Sequence, residues 1–150
     1  MGQLDNKIAI VTGAGGGIGG AIAVRLAREG AKIAVADIDG ETAKSRAAEI
    51  TRQGGQSFSV VADVTRKISV EQMVQAALDR WGRIDILVNV AGGAQVKPVI
   101  EVSETDWDHI INMNLKSVFL CSQAVLPAMI KQNYGKIVSI SSIYGFTGNA

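Results

Sequence analysis

Short apolar runs alternate with stretches of helical periodicity along the whole chain. Lys7–Thr12 (KIAIVT) is apolar and rich in β-branched residues, which predicts a buried strand. After a glycine cluster, IGGAIAVRLAREG places Ile18, Ile22 and Leu26 at i, i+4 and i+8, so these form the expected buried face of a first helix. Gly30 ends it. Ala31–Asp37 (AKIAVAD) predicts a second strand, and ETAKSRAAEITRQGG a helix with Ala43, Ala47 and Ile50 inward. SFSVVADV predicts a third strand. SVEQMVQAALDRWG predicts a helix capped by Ser69, with Val70, Met73, Val74, Ala77, Leu78 and Trp81 on one face. DILVNVAGG predicts a fourth strand running into a glycine turn. From Ser103 the pattern is helical through Gln132: SETD resembles a capping box, and Pro127 predicts a kink near Gln123, whose carbonyl loses its partner. GKIVSISS, ending at Ser142, predicts a fifth strand.

Strands that alternate with helices and are apolar throughout make a parallel sheet covered on both faces. Right-handed crossovers give the fold class: α/β, a doubly wound parallel sheet in three α/β/α layers, binding ligands outside the carboxyl ends of its strands. With 150 residues and no linker or internal repeat, residues 1–150 are read as one domain.

Composition narrows the partners. Fifteen basic and fourteen acidic residues give a net charge of +1 spread along the chain, which suggests neither a nucleic acid nor an acidic membrane. A single cysteine, Cys121, excludes an intrachain disulfide and a cysteine-cluster metal site; its apolar neighbours VFLCSQAV predict a buried thiol. His109, the sole histidine, is read as a helix-flank residue rather than a metal ligand, and Trp107 and Met113 as core or subunit-contact residues. Asn6 stands where a myristoylation signal wants Ser or Thr, and Ile8–Leu26 is too rich in glycine for a membrane span or secretory signal. A cytoplasmic location is the expectation.

The seventeen glycines are clustered, and the cluster after the first strand has a chemical reading. A glycine-rich strand-to-helix turn brings backbone N–H groups and a helix N-terminus against phosphate, where side chains would hold a diphosphate off. Asp37 ends the second strand twenty positions after Gly17, the offset at which a carboxylate accepts hydrogen bonds from ribose hydroxyls. G-x-G-x-x-G fits Gly15, Gly17 and Gly20 only from three residues past the strand. T-G-x-x-x-G-x-G over Thr12, Gly13, Gly17 and Gly19 begins at the strand end. No Gly-Lys-Ser/Thr occurs, so a P-loop is excluded.

T-G-x-x-x-G-I-G, Asp37, D-V at Asp63–Val64, N-x-A-G at Asn89–Gly92, N-L at Asn114 and Ser142 after the fifth strand form an ordered set. It resembles the classical branch of the short-chain dehydrogenase/reductase family over the whole chain and implies a Rossmann fold. By that resemblance Thr12, Gly13, Gly16, Gly17, Ile18 and Gly19 line the pyrophosphate turn, and Asp37 binds the adenosine ribose. Asp63 and Val64 hold the adenine, and Asn89, Ala91 and Gly92 line the cofactor. Val90 departs from the family's second asparagine and removes a supporting hydrogen bond. Family members that use NADP carry a basic residue at the positions of Gly16 or Ile38. Neither is basic here, and Asp37 would repel a 2′-phosphate, so NAD is the expected cofactor.

The resemblance further implies hydride transfer between a nicotinamide and a secondary alcohol or ketone, with 3-oxoacyl or other small carbonyl substrates possible. A tyrosine, with an ordinary pKa of about 10, is lowered by a neighbouring lysine and by the cationic nicotinamide and acts as acid/base. Ser142 would hydrogen-bond the substrate oxygen and Asn114 would hold a relay water; Asn112, about 200° around a helix, cannot replace it. The tyrosine belongs about thirteen positions past Ser142, with a lysine four further on. Tyr134 is followed four residues later by Val138 and Tyr144 by Gly148, so neither makes Y-x-x-x-K, and Tyr144 is assigned to the substrate mouth. The expectation is therefore the N-terminal part of a longer enzyme, continuing for about another hundred residues, with the last strands and helices outside this sequence. A homo-oligomer, dimer or tetramer, follows from the resemblance alone. Two other readings stand: a catalytically inactive dinucleotide-binding fragment or interaction module, and an S-adenosylmethionine methyltransferase, which has no use for Asn114 and Ser142.

Overall fold

The computed structural model describes Gly2–Gly145 and Thr147, without the side chain of Tyr144. Five parallel strands, β1 (Ile8–Thr12), β2 (Lys32–Asp37), β3 (Gln56–Val61), β4 (Ile86–Asn89) and β5 (Lys136–Ser139), form one sheet in the order β3-β2-β1-β4-β5. The chain reverses direction across the sheet between β1 and β4, and a ligand crevice belongs at the carboxyl ends of those two strands. Strand alternation divides the core. Ala9 and Val11 of β1, with Ile33, Val35 and Val88, pack under α1 (Gly17–Arg28) and α2 (Gly40–Arg52). Ile10, Ala34, Ala36 and Leu87 pack against α3 (Lys67–Trp81) and the buried face of α5 (Ser117–Lys131).

The expected faces of the second and third helices are present: Ala43, Ala47 and Ile50 are buried, as are Val70, Met73, Val74 and Ala77. In α1 the stripe differs. Gly19, Gly20 and Ala23 are buried, Ile22 and Leu26 are partly buried, and Ile18 is 64% exposed at the carboxyl edge of the sheet. The third helix begins at Lys67, ahead of Ser69; the Ser69 hydroxyl instead accepts from the Asp63 amide at 3.0 Å and joins β3 to α3.

The helical stretch from Glu104 is capped as expected, Ser103 and Asp106 forming a reciprocal capping box. It runs as α4 (Glu104–Ile111), a π turn over Asn112–Lys116, and α5, which continues unbroken through Pro127. A further irregularity falls at the π turn, where Ser117 N–H reaches back five residues to the Asn112 carbonyl. By length and composition the helical stretch Glu104–Lys131 could cross a membrane, its most apolar 18-residue window having a mean hydropathy of 1.3, but Leu120, Cys121, Val125 and Met129 belong to the core beneath the sheet.

The fifth strand ends at Ser139, three residues short of expectation. Asn89 pairs with Ser139 at the end of β4, and just beyond it Ile140 N–H donates to the Asn89 carbonyl. Among the described residues β5 has a neighbouring strand on one side, and it is exposed throughout, in contrast to β1 and β4.

Candidate functional site

A cavity of about 850 Å³ opens at the carboxyl ends of β1, β2 and β4. Its walls include Gly13, Gly16, Gly17, Ile18 and Gly19 from the first turn, Asp37 after β2, and Asp63 and Val64 after β3. Ala91 and Gly92 after β4 complete ten of the expected cofactor residues, all brought to one space. Thr12 and Asn89 lie one layer beneath.

The turn divides into glycines the protein itself requires and glycines it does not. Gly13 has φ +64°, where a side chain is strained, and a Cβ there would stand 3.0 Å from Ala91 Cα. A Cβ at Gly19 would collide with the Gly13 carbonyl oxygen. Gly17 is different: a Cβ there would meet nothing within 4 Å, and one at Gly16 only the Gly13 oxygen at 3.5 Å. Gly16 also caps α1 without any side-chain hydrogen bond. The bare side of the turn therefore faces cavity space at a helix N-terminus, which favours negative charge.

Two carboxylates flank this turn. Asp37 accepts from Gly15 N–H at 2.9 Å through Oδ2 and from Asp39 N–H at 3.1 Å through Oδ1. Each oxygen keeps a lone pair for a further donor. Asp63 accepts through Oδ1 from the Thr65 hydroxyl at 2.6 Å and the Thr65 amide at 3.0 Å. The hydroxyl bond is the main reason that its carboxyl sits below the usual aspartate value, helped by Arg66 and opposed by partial burial.

Beneath the floor, the buried Thr12 hydroxyl accepts from the amides of Val90 (3.1 Å) and Ala91 (3.2 Å) and donates to the Val88 carbonyl at 3.5 Å. The backbone of Val90 thus supplies a tie to β1, while its side chain packs partly buried on the core. Asn89 donates through Nδ2 to Ser139 Oγ at 3.2 Å, and its buried Oδ1 has no partner among the described residues. Asn114 lies off the cavity lining, its carboxamide fastened to Gly93 and, through Nδ2, to the Ile110 carbonyl at 3.0 Å. Ser142 follows β5 and is likewise outside the lining. The expected position of Tyr144 at a substrate mouth concerns a side chain outside the described residues.

Sequence reasoning missed one wall. His109, Asn112, Met113 and Lys116 line the cavity from α4 and the π turn. Their i, i+3, i+4, i+7 spacing was a legible signal of one shared helical face. Only the docking of that face beside the β4 turn places it on the cavity wall. Cys121 is 1% exposed, and burial pushes its thiol up to about 12, as expected of a core cysteine. Among the described residues no cluster of metal-ligating side chains occurs.

A family model described as short chain dehydrogenase matches residues 7–150. The chain is 41% identical over 139 residues to a (2S)-[(R)-hydroxy(phenyl)methyl]succinyl-CoA dehydrogenase subunit from Thauera aromatica, covering 93% of this chain and 56% of that protein. It is 40% identical over 147 residues to a 3-oxoacyl-[acyl-carrier-protein] reductase from Thermotoga maritima, covering 98% and 60%. It is also 40% identical over 148 residues to a cyclopentanol dehydrogenase from a Comamonas species, covering 99% and 59%. A solved structure of a hydroxysteroid dehydrogenase from Escherichia coli superposes with a TM-score of 0.89 at 40% identity, over 93% of this chain and 59% of that one. The chain thus spans a little over half the length of these relatives. Fold, ordered motifs and likeness over nearly every residue agree: this chain belongs to the short-chain dehydrogenase family of oxidoreductases.

Proposed function

We propose that the cavity binds NAD and that the whole protein interconverts a secondary alcohol and a ketone. The observation that carries this reading is the bare Gly16–Gly17 stretch facing the cavity at the start of α1, with Asp37 and Asp63 in the same walls. The diphosphate rests on the Gly13–Gly19 turn, Asp37 accepts from the adenosine ribose hydroxyls, and Asp63 with Val64 receives the adenine. Asp37 also disfavours a 2′-phosphate by like-charge repulsion, and neither Gly16 nor Ile38 offsets it. The nicotinamide supplies the hydride chemistry when bound. The chain's own residues orient and polarise: Ser142 hydrogen-bonds the substrate oxygen, and Asn114 fixes the loop after β4. Both carboxamide hydrogens of Asn114 are engaged, which leaves an Oδ1 lone pair to accept from a relay water.

The substrate is a small neutral or anionic carbonyl compound or its alcohol, of the kind named in the relatives above; a homo-oligomer in the cytoplasm completes the proposal. The 150-residue chain, having no Y-x-x-x-K, binds the dinucleotide without turning it over. Isothermal titration with NADH, alongside an absorbance assay of NADH oxidation by cyclopentanone or a 3-oxoacyl thioester, tests this. Saturable binding with no turnover by this chain is expected; absence of binding overturns the reading.

A further inference from the structure

Gly93 is bare for a reason that lies in another element. Its φ is outside the left-handed region, so the backbone there would accept any residue. A Cβ built on it would stand 2.8 Å from Met113 Cε and 3.3 Å from Met113 Sδ. The thioether of Met113 thus fills the volume that a side chain at position 93 would take. Both partners are fixed only in part. Asn114, the neighbour of Met113, clamps the Gly93 backbone, whereas the methionine end is a flexible side chain that lines the cavity.

We propose that Met113 is a positioning residue, the adjustable wall of the dinucleotide cavity, and that Gly93 sets how far this wall stands back. This rests on the reading of the cavity as a dinucleotide site. A methyl group at position 93 can be accommodated only by displacing Met113 Cε; with the Asn114 clamp intact, the displaced methyl moves at the cavity wall and affects ligand fit. Gly92 is a different case, since a Cβ there would approach Asn114 Oδ1 at 2.6 Å and oppose the clamp itself.

The test is a double-mutant cycle, G93A, M113A and G93A/M113A, read by NADH fluorescence titration and by the methyl resonances of ¹³C-methionine-labelled protein. G93A is expected to weaken NADH binding about tenfold when Met113 is present and less than about twofold when position 113 is alanine, a coupling expected of residues in contact. In ligand-free protein G93A should move the Met113 methyl resonance and leave those of Met73 and Met129 in place. Equal weakening in both backgrounds, no weakening, or an unmoved Met113 resonance overturns the proposal. If G93A fails to fold but G93A/M113A folds, the steric pairing is supported directly; failure of both overturns it. Wild-type protein that does not bind NADH brings down the dinucleotide reading and this proposal with it. Bound NADH with an additive cycle brings down the proposal alone.

Discussion

Asn114 holds Gly93 from both sides: Oδ1 accepts from its amide at 3.1 Å, and Nδ2 donates to its carbonyl at 3.0 Å. One side chain on the π turn thereby fixes the loop that leaves β4, with Ala91 and Gly92 just ahead on the cavity wall. Asn114→Ala releases the loop to water, at a net cost of about 1 kcal/mol. NADH affinity should fall about fivefold by titration while the melting temperature changes little. Asn114→Asp should be worse than alanine, because a carboxylate cannot donate to the carbonyls of Gly93 and Ile110.

The Thr12 hydroxyl has a structural duty beneath the same floor. Thr12→Val leaves the partly buried amides of Val90 and Ala91 without this acceptor. Denaturant unfolding should show a loss of about 2 kcal/mol, the combined cost of two partly buried donors that lose their acceptor. Thr12→Ser, which restores the oxygen, should recover most of it.

The hydroxyl of Thr65 depresses the Asp63 carboxyl. A carboxylate whose folded value lies below its unfolded one stabilises the fold above the unfolded pKa, about 3.9 for aspartate, and loses that contribution as pH falls through the folded value. Thr65→Val removes the largest cause, so stability should fall near neutrality, the difference from wild type should shrink as pH drops below the unfolded pKa, and the acid-unfolding midpoint should move to higher pH than wild type. An unmoved midpoint on acid titration followed by circular dichroism would show that the Thr65 bond does not tune Asp63.

Cys121, buried and pushed up to about 12, should be silent to a thiol reagent at pH 8 in the native protein and titrate as one thiol after denaturation. Prompt native-state labelling would contradict its place under the sheet.

Much of this site was legible because its chemistry lies at strand ends. Apolar runs locate the strands, and the next polar or glycine residue, such as Gly13, Asp37 or Asp63, then falls at the carboxyl edge by topology alone. The helical wall was not legible in the same way. His109, Asn112, Met113 and Lys116 have an ordinary helical spacing, and whether that face meets core, solvent or ligand is decided by how α4 docks. The π turn also left no mark in the periodicity, since five residues are too few to shift a pattern. Ile18 misled for a related reason: its spacing fits a core stripe, but α1 seats its glycine and alanine face on the sheet. Ser69 and Ser142 were misplaced by a turn because end positions depend on tertiary hydrogen bonds, from Asp63 in one case and along β4 in the other.

The central claim is tested most directly by a crystal structure with NAD⁺ bound. The diphosphate is predicted within hydrogen-bonding distance of amides in the Gly16–Gly19 stretch, with both adenosine ribose hydroxyls on Asp37 and the adenine amine at Asp63. A dinucleotide bound elsewhere, or a turn between β1 and α1 closed by packed side chains, would contradict it.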